Sequence, residues 1–463
     1  MIILGAIAKA VLFQAKHIIK GLPSCAGWDG TFMRRNLLPV FSLLVGTLFL
    51  FFGNGLHSLL LPLRGTAEGY STTTLGLLGT SWSAGFVAGC FLAPIVVRRI
   101  GHVRAFSGFL SLTAIIALST GILVDPVAWI ALRALTGFAS AGTSMIIESW
   151  LNERVDNKNR GVIFSTYIMI TLAGVVGGQM MVASGDIHTT ILFMIVGILY
   201  CVAMLPTTLS TAASPQPLKS VKLDIIALYR NSPIAFVGMM LIGIANGAFG
   251  TLGAVFGSKA NLSAGHVALM MSLAIAAGAL IQIPTGRLSD RMDRRLVLAA
   301  LAGIGALAGW VLALFQPTNV VILLAIVSLY GASANALYPL AAAHANDHAS
   351  PENYVKVSGG LLLLYGLGTI IGPTLGGPIM AAFGPYALFA ITSLAHVAIT
   401  IYAVFRSRMR APVPTADREA YIPLGHITVK TPESFNLSPL AGGNADDGQG
   451  GDRHGKSKEE KAA

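Results

Sequence analysis

The sequence predicts an all-α membrane protein with about twelve transmembrane helices, arranged as two pseudo-symmetric six-helix bundles. Three observations carry this expectation. The composition is apolar and poor in charge, the apolar residues fall in runs of membrane-spanning length, and an internal repeat divides those runs into two sets.

Of 463 residues, 54% are hydrophobic and only 11% are charged. A soluble domain has about a quarter of its residues charged, and a soluble chain this apolar would expose patches large enough to aggregate. A soluble enzyme is thereby excluded. The net charge of +11 is spread in short basic clusters between apolar runs. That is the pattern of membrane topology, not of a continuous nucleic-acid-binding patch. Cys25, Cys90 and Cys201 lack metal-ligand or redox spacing and read as small buried hydrophobes.

From Leu37 onward the apolar runs are each about 20 residues or longer, enough for a helix to cross ~30 Å of hydrocarbon. They lie near 37–62, 72–97, 103–124, 127–150, 161–184, 189–209, 232–257, 265–288, 296–315, 319–343, 355–382 and 384–405. The even-numbered breaks hold Arg98, Arg99, Arg104, Arg154, Lys158, Arg160, Lys219, Lys222, Arg230, Arg287, Arg291, Arg294, Arg295 and Lys356. Against these, the odd-numbered breaks hold only Arg64 and Lys259. By the positive-inside rule the even breaks and both termini are expected in the cytoplasm.

Residues 1–36 read as a cytoplasmic N-terminal segment. Lys9, Lys16 and Lys20 interrupt its apolar stretch, so it neither spans a bilayer nor matches a signal peptide. Met33, followed by Arg34 and Arg35, resembles a natural start, so the segment is expected to be dispensable, a surface helix being the alternative. Residues 37–209 are then the first bundle and 210–231, with Pro215 and Pro217, a cytoplasmic linker. Residues 232–405 are the second bundle and 406–463 a cytoplasmic tail. Its end, GGNADDGQGGDRHGKSKEEKAA, has too little apolar content to fold alone and is expected to be disordered.

The halves are copies of one another. Asn54-Gly55 recurs as Asn246-Gly247, and Arg99 recurs as Arg291 at the same offset. After a short insertion Gly137 matches Gly331, Asn152-Glu153 matches Asn346-Asp347, and Gly174 and Gly178 match Gly368 and Gly372. Two related bundles imply a pseudo-two-fold axis along the membrane normal, with a substrate site between them near the midplane.

Between the eighth and ninth runs lies GRLSDRMDRR, Gly286 to Arg295. Gly286 permits close approach of helix ends, Asp290 can accept hydrogen bonds, and the arginines stay at the surface. This string resembles the loop signature of the major facilitator superfamily, with Asp293 where the family usually has a second glycine. The matching loop of the first half, Pro94 to Arg104, keeps Arg99 and Gly101 but replaces the first glycine and the aspartate with Pro94 and Arg98. RALTG, Arg133 to Gly137, resembles the superfamily motif whose intramembrane arginine is linked to proton coupling. A charge there is expected to face the bundle interior, or else to snorkel to the nearer surface.

Glu153 and Arg160, with Asp347 and Lys356 in the second half, resemble the family's cytoplasmic gate pairs; the plain alternative is a solvated loop pair worth under ~1 kcal/mol. The eleventh run carries Gly359, Gly368, Gly372-Pro373 and Gly376-Gly377. It resembles the family's antiporter motif, although drug and proton exchangers place that motif on the fifth helix, where this chain has Gly174, Gly178 and Gln179. Close helix packing without directional meaning accounts for those glycines equally well. ESWLNE, Glu148 to Glu153, and YPLAAAHAND, Tyr338 to Asp347, resemble a bacterial branch of the superfamily. The whole resemblance spans roughly residues 33 to 410.

A midplane site is built from polar residues on apolar helices. The substrate-binding candidates are Asn54, His57, Asn246, Gln282, Asn335 and Tyr338, with Tyr167, Gln179 and Tyr365 behind them. Asn54 and Asn246 can equally serve as interhelical hydrogen-bonding residues and His57 as a neutral donor. Arg133, Glu148 and His57 are the proton-coupling candidates, because His titrates near neutrality and Glu148 is a carboxylate inside a run. Arg99, Glu153, Arg160, Gly286, Asp290, Arg291 and Asp347 are the gating candidates.

No phosphate-cradling loop, nucleophile elbow or HExxH run occurs. The expectation is therefore no enzyme, no cofactor and no metal. The resemblance implies a monomeric, proton-coupled secondary transporter of the bacterial inner membrane, moving a small organic solute outward by alternating access. An uptake symporter or facilitator is the nearest alternative. A non-transporting sensor or scaffold is the alternative of another class, which the paired gate motifs argue against.

Overall fold

The computed structural model describes residues 38–153, 160–208, 225–349 and 354–409, together with residues 411, 413, 414, 418, 421 and 431. The N-terminal segment, the Pro215–Pro217 part of the linker and most of the tail lie outside the described residues. The regular secondary structure of the described residues is all helical. The first bundle comprises α1 (Leu38–Ala67), α2 (Thr72–Ile100), α3 (His102–Ile122), α4 (Pro126–Glu153), α5 (Arg160–Met181) and α6 (Ile191–Thr208). A short helix, α7 (Ile225–Asn231), ends the linker. The second bundle comprises α8 (Pro233–Lys259), α9 (Ala264–Arg291), α10 (Arg294–Phe315), α11 (Val320–Asn346), α12 (Tyr354–Phe383) and α13 (Ala387–Met409). Among the described residues, eleven helices are long and apolar enough to cross a membrane. The twelfth, α6, is apolar and has 18 residues, ~27 Å at the helical rise.

The repeat read from the sequence is a repeat of packing. In the first bundle α1 lies against α5 and α6, α2 against α4, and α3 against α4 and α6; in the second, α8 lies against α12 and α13, α9 against α11, and α10 against α11 and α13. The matched residues mark the crossings. A Cβ on Gly178 of α5 would sit 2.0 Å from the Phe52 carbonyl oxygen of α1, and one on Gly372 of α12 would sit 2.2 Å from that of Ile244 on α8. Only the absence of a side chain lets these backbones approach so closely. Ser71 and Ser263 cap α2 and α9 alike, accepting from the amides of Thr74 and His266.

The departure from the loop signature at Asp293 has a local cause. In the first half Gly101 turns the chain with φ +83°, a conformation that favours glycine. Its counterpart Asp293 has φ −59° and instead caps α10, accepting from the Arg295 amide at 3.0 Å. Burial alone would push the Asp293 carboxyl up, but hydrogen bonds from the Arg295 side chain and backbone, with its charge, hold it below its ordinary value. A carboxyl so depressed stabilises the fold above the ordinary carboxylate range, and this contribution is lost as pH falls through the folded value. Asp293→Ala is therefore expected to cost ~1 kcal/mol at pH 7, the worth of a typical N-cap. Thermal unfolding should show the gap from wild type narrowing on acidification below about pH 4.

Several expectations are corrected in detail. The first span does not stop at 62: α1 continues through Pro62 to Ala67, where Arg64 pairs with Glu68 at 2.6 Å and donates to the Ile187 carbonyl at 3.0 Å. Neighbouring helices in a membrane protein re-satisfy the backbone that proline frees. Cys201 is exposed on α6 instead of buried. It shares that outer surface with exposed apolar residues such as Ile198 and Leu205, which a bilayer covers.

Candidate functional site

One end of each of α2 and α9 carries the arginine clusters, and the side of the molecule they define is called the basic face below. Away from it the two bundles touch. Thr72 of α2 donates to the Gly377 carbonyl of α12 at 2.9 Å, and the hydroxyls of Thr80 and Thr374 lie 2.8 Å apart. The symmetry-related pair behaves alike, with Ser272 of α9 donating to Gln179 of α5 at 3.1 Å. The Gly-Pro stretch of α12 supplies one of these seams, since a Cβ on Gly76 would lie 2.5 Å from the Pro373 oxygen.

Above this seal lies a cavity of about 390 Å³, with walls from both bundles. Pockets for small organic ligands have about this volume. Its wall reaches Pro94, Ile95 and Arg98 at the basic face. Four of the six sequence-predicted binding residues line it: Asn54, His57, Asn246 and Asn335. Gln282 and Tyr338 are buried, and neither is part of the wall. The two matched asparagines hold their neighbours as well as facing the cavity. Asn54 accepts from the Tyr200 hydroxyl at 2.8 Å, and Asn246 donates to the Ala334 carbonyl at 3.3 Å. Tyr365 and Gln179 also line it, whereas Tyr167 does not.

Arg133 lines the cavity with its guanidinium over the Trp82 ring, 5.8 Å from its centroid. It therefore points between the bundles and not to the nearer surface. Its Nε is buried without a hydrogen-bond partner among the described residues, as are both ring nitrogens of His57, whose ring sits edge-on to Phe193. Glu148 is fully buried toward the basic face. Its carboxylate accepts from Tyr167 at 3.0 Å and from Thr431 of the tail.

At the basic face the charged network centres on a residue outside the gating candidates. Arg294, at the start of α10, pairs with Asp347 at the end of α11 at 2.8 Å and with Asp290 at the end of α9 at 3.4 Å. Asp290 and Asp347 thus meet in one cluster. Arg291, Arg99 and Glu153 are exposed, and Arg160 is partly buried at the start of α5. Gly286 is covered by the Tyr421 ring, the Tyr421 amide donates to Asp290 at 3.3 Å, and Arg418 donates to the Met292 carbonyl at 2.6 Å. These tail residues dock on the basic face, which composition alone did not foretell.

Sequence reasoning also missed Trp82 and Tyr200. A depth count would have found Trp82: it lies about as far along α2 from the sealed end as Arg133 does along α4.

The paired bundles, the cavity closed at one end between them and the loop signature define a membrane transporter of two homologous halves. The chain belongs to the major facilitator superfamily, whose family model matches residues 43–334 and 232–440. It is 27% identical over 385 residues to an uncharacterized MFS-type transporter, YcaD, of Shigella flexneri serotype 5b, covering 82% of this chain and 98% of that one. An uncharacterized MFS-type transporter of Yersinia pestis is 27% identical over 361 residues, covering 76% and 91%. Among solved structures, the nucleoside transporter NupG superposes with a TM-score of 0.66 at 18% identity, covering 79% of this chain and 98% of that one. A bacterial homolog of the human lysosomal transporter Spinster, inward-facing and occupied, gives 0.66 at 15% identity, covering 84% and 99%. At such identities these two share the fold.

Proposed function

We propose that this protein is a proton-coupled secondary transporter that exports a small organic solute across the bacterial inner membrane by alternating access. The observation that carries the reading is the cavity between the bundles, closed at one end by the α2–α12 and α5–α9 seams. The positive-inside rule makes the basic face cytoplasmic, so the described arrangement opens inward. Asn54, His57, Asn246 and Asn335 contact the solute, with Gln282 and Tyr338 supporting the helices behind them. Arg133, His57 and Glu148 carry the coupling. Asp290 and Asp347, gathered by Arg294, form the second-half latch, to which Gly286 and Arg291 belong; Arg99, Glu153 and Arg160 act in the first half. One chain encloses a whole cavity, so a monomer suffices.

The facing hydroxyls of Thr80 and Thr374 give a direct test of alternating access. In a background with Cys25, Cys90 and Cys201 replaced by alanine, a Thr80→Cys/Thr374→Cys pair should form a disulfide on mild oxidation. Flux in proteoliposomes should then fall to the protein-free level and return on reduction. Full flux through the oxidised protein would exclude rocking about this seam. Coupling is tested in everted vesicles containing a pH dye and exposed to a metabolite and drug panel. Export predicts solute-driven proton release in wild type that vanishes in Arg133→Ala, whereas solute flux without proton movement identifies a facilitator.

A further inference from the structure

Resting on the reading of the cavity as the solute site, we propose that this site takes an organic monoanion. Its charged group sits on Arg133 beside His57, and its apolar body lies among the cavity's aromatic rings.

The charge balance of the wall comes first. Arg133, Arg98 and His57 are on it, and among the described residues it contains no aspartate or glutamate. Glu148 lies outside the wall and is held by Tyr167 and Thr431. The ion pairs among the described residues join Arg64 to Glu68, Arg294 to Asp290 and Asp347, and Arg295 to Asp293; none reaches Arg133. A guanidinium in a low-dielectric cleft without a carboxylate is an uncompensated charge. The Trp82 face compensates it only in part.

Geometry then narrows the ligand. Arg133 Nε is buried and unbonded among the described residues, and a guanidinium offers parallel donors that match a carboxylate fork. His57 has two unbonded ring nitrogens, one of which carries a hydrogen in the neutral ring. Arg133, His57 and Tyr200 all line the same cavity. The rest of the wall is largely apolar and includes the rings of Trp82, Phe86, Phe249 and Tyr365. A cationic solute would meet repulsion there with no acidic group to hold it. A solute with two negative charges close together would find only Arg133 for both, since the wall's other arginine, Arg98, is exposed at the basic face.

The test is a matched series of 1-naphthoate, 1-naphthylmethanol and 1-naphthylmethylammonium, binding to the purified full-length protein by titration calorimetry. Naphthoate is expected to bind at least tenfold more tightly than either partner. Arg133→Gln should weaken naphthoate at least tenfold and the alcohol less than twofold. Arg133→Lys, which keeps the charge but lacks the fork, should lie between and serves if the glutamine variant does not fold. Equal or tighter binding of the ammonium compound, naphthoate binding unchanged by these substitutions, or no binding by any member overturns the proposal. If it fails while the Thr80–Thr374 disulfide still blocks flux reversibly, the transporter reading stands and the anion is wrong. Naphthoate binding alongside a lock that leaves flux intact would have the opposite meaning.

Discussion

Valine at Gly178 or Gly372 is expected to leave little folded protein, seen as loss of the monodisperse peak in size-exclusion chromatography of detergent extracts. At both positions the first atom of any side chain would fall about 2 Å from a backbone carbonyl oxygen on the facing helix, Phe52 at Gly178 and Ile244 at Gly372. A carbonyl within a helix cannot rotate aside, so α5 or α12 must move bodily away from α1 or α8. Overpacking typically costs ~1–3 kcal/mol where side chains can yield, and here no side chain is available to yield. Alanine should give the same defect in milder form. Gly108 has open space where its Cβ would be, so Gly108→Ala should leave the elution profile and melting temperature near wild type. Indistinguishable behaviour of Gly178→Val and Gly108→Ala would refute the crossing-point assignment.

Asp347→Asn is the second large effect. Arg294 and Asp347 have side chains only 1% and 2% exposed and meet at 2.8 Å. Removing one charge leaves the other buried, with Asp290 at 3.4 Å as a longer substitute. Breaking such a pair typically costs ~3–5 kcal/mol, so thermal unfolding in detergent should begin well below wild type. Replacing both partners, as in Arg294→Met with Asp347→Leu, removes the stranded charge and should recover much of that loss. A double variant no more stable than Asp347→Asn would show that the pair acts through something other than its charges.

Asp290 and Arg291, adjacent gating candidates, show where a linear reading stops. The motif identifies the loop, but neighbouring residues on a helix point about 100° apart. Asp290 therefore faces Arg294 while Arg291 faces solvent. Arg294 was read only as a basic residue of the loop because its partner Asp347 comes from the end of α11, and no spacing in the chain ties the two together. The same holds for Thr431, which reaches Glu148 from a tail of unpromising composition.

The spans and the internal repeat were determined by the sequence itself, because hydropathy and a repeated pattern are properties of short stretches and their order. The matched glycines belong with them: a helix crossing demands a small residue, and duplication preserved that demand at Gly178 and Gly372. Asn54, His57, Asn246 and Asn335 were legible as polar residues that lipid would not tolerate. Only the tertiary structure decided that Gln282 and Tyr338 stand behind the wall, that Arg133 turns inward to Trp82, and that the cavity's charge is left unbalanced. Those outcomes depend on the rotation and depth of one helix against another, which many side chains set together and no local pattern encodes.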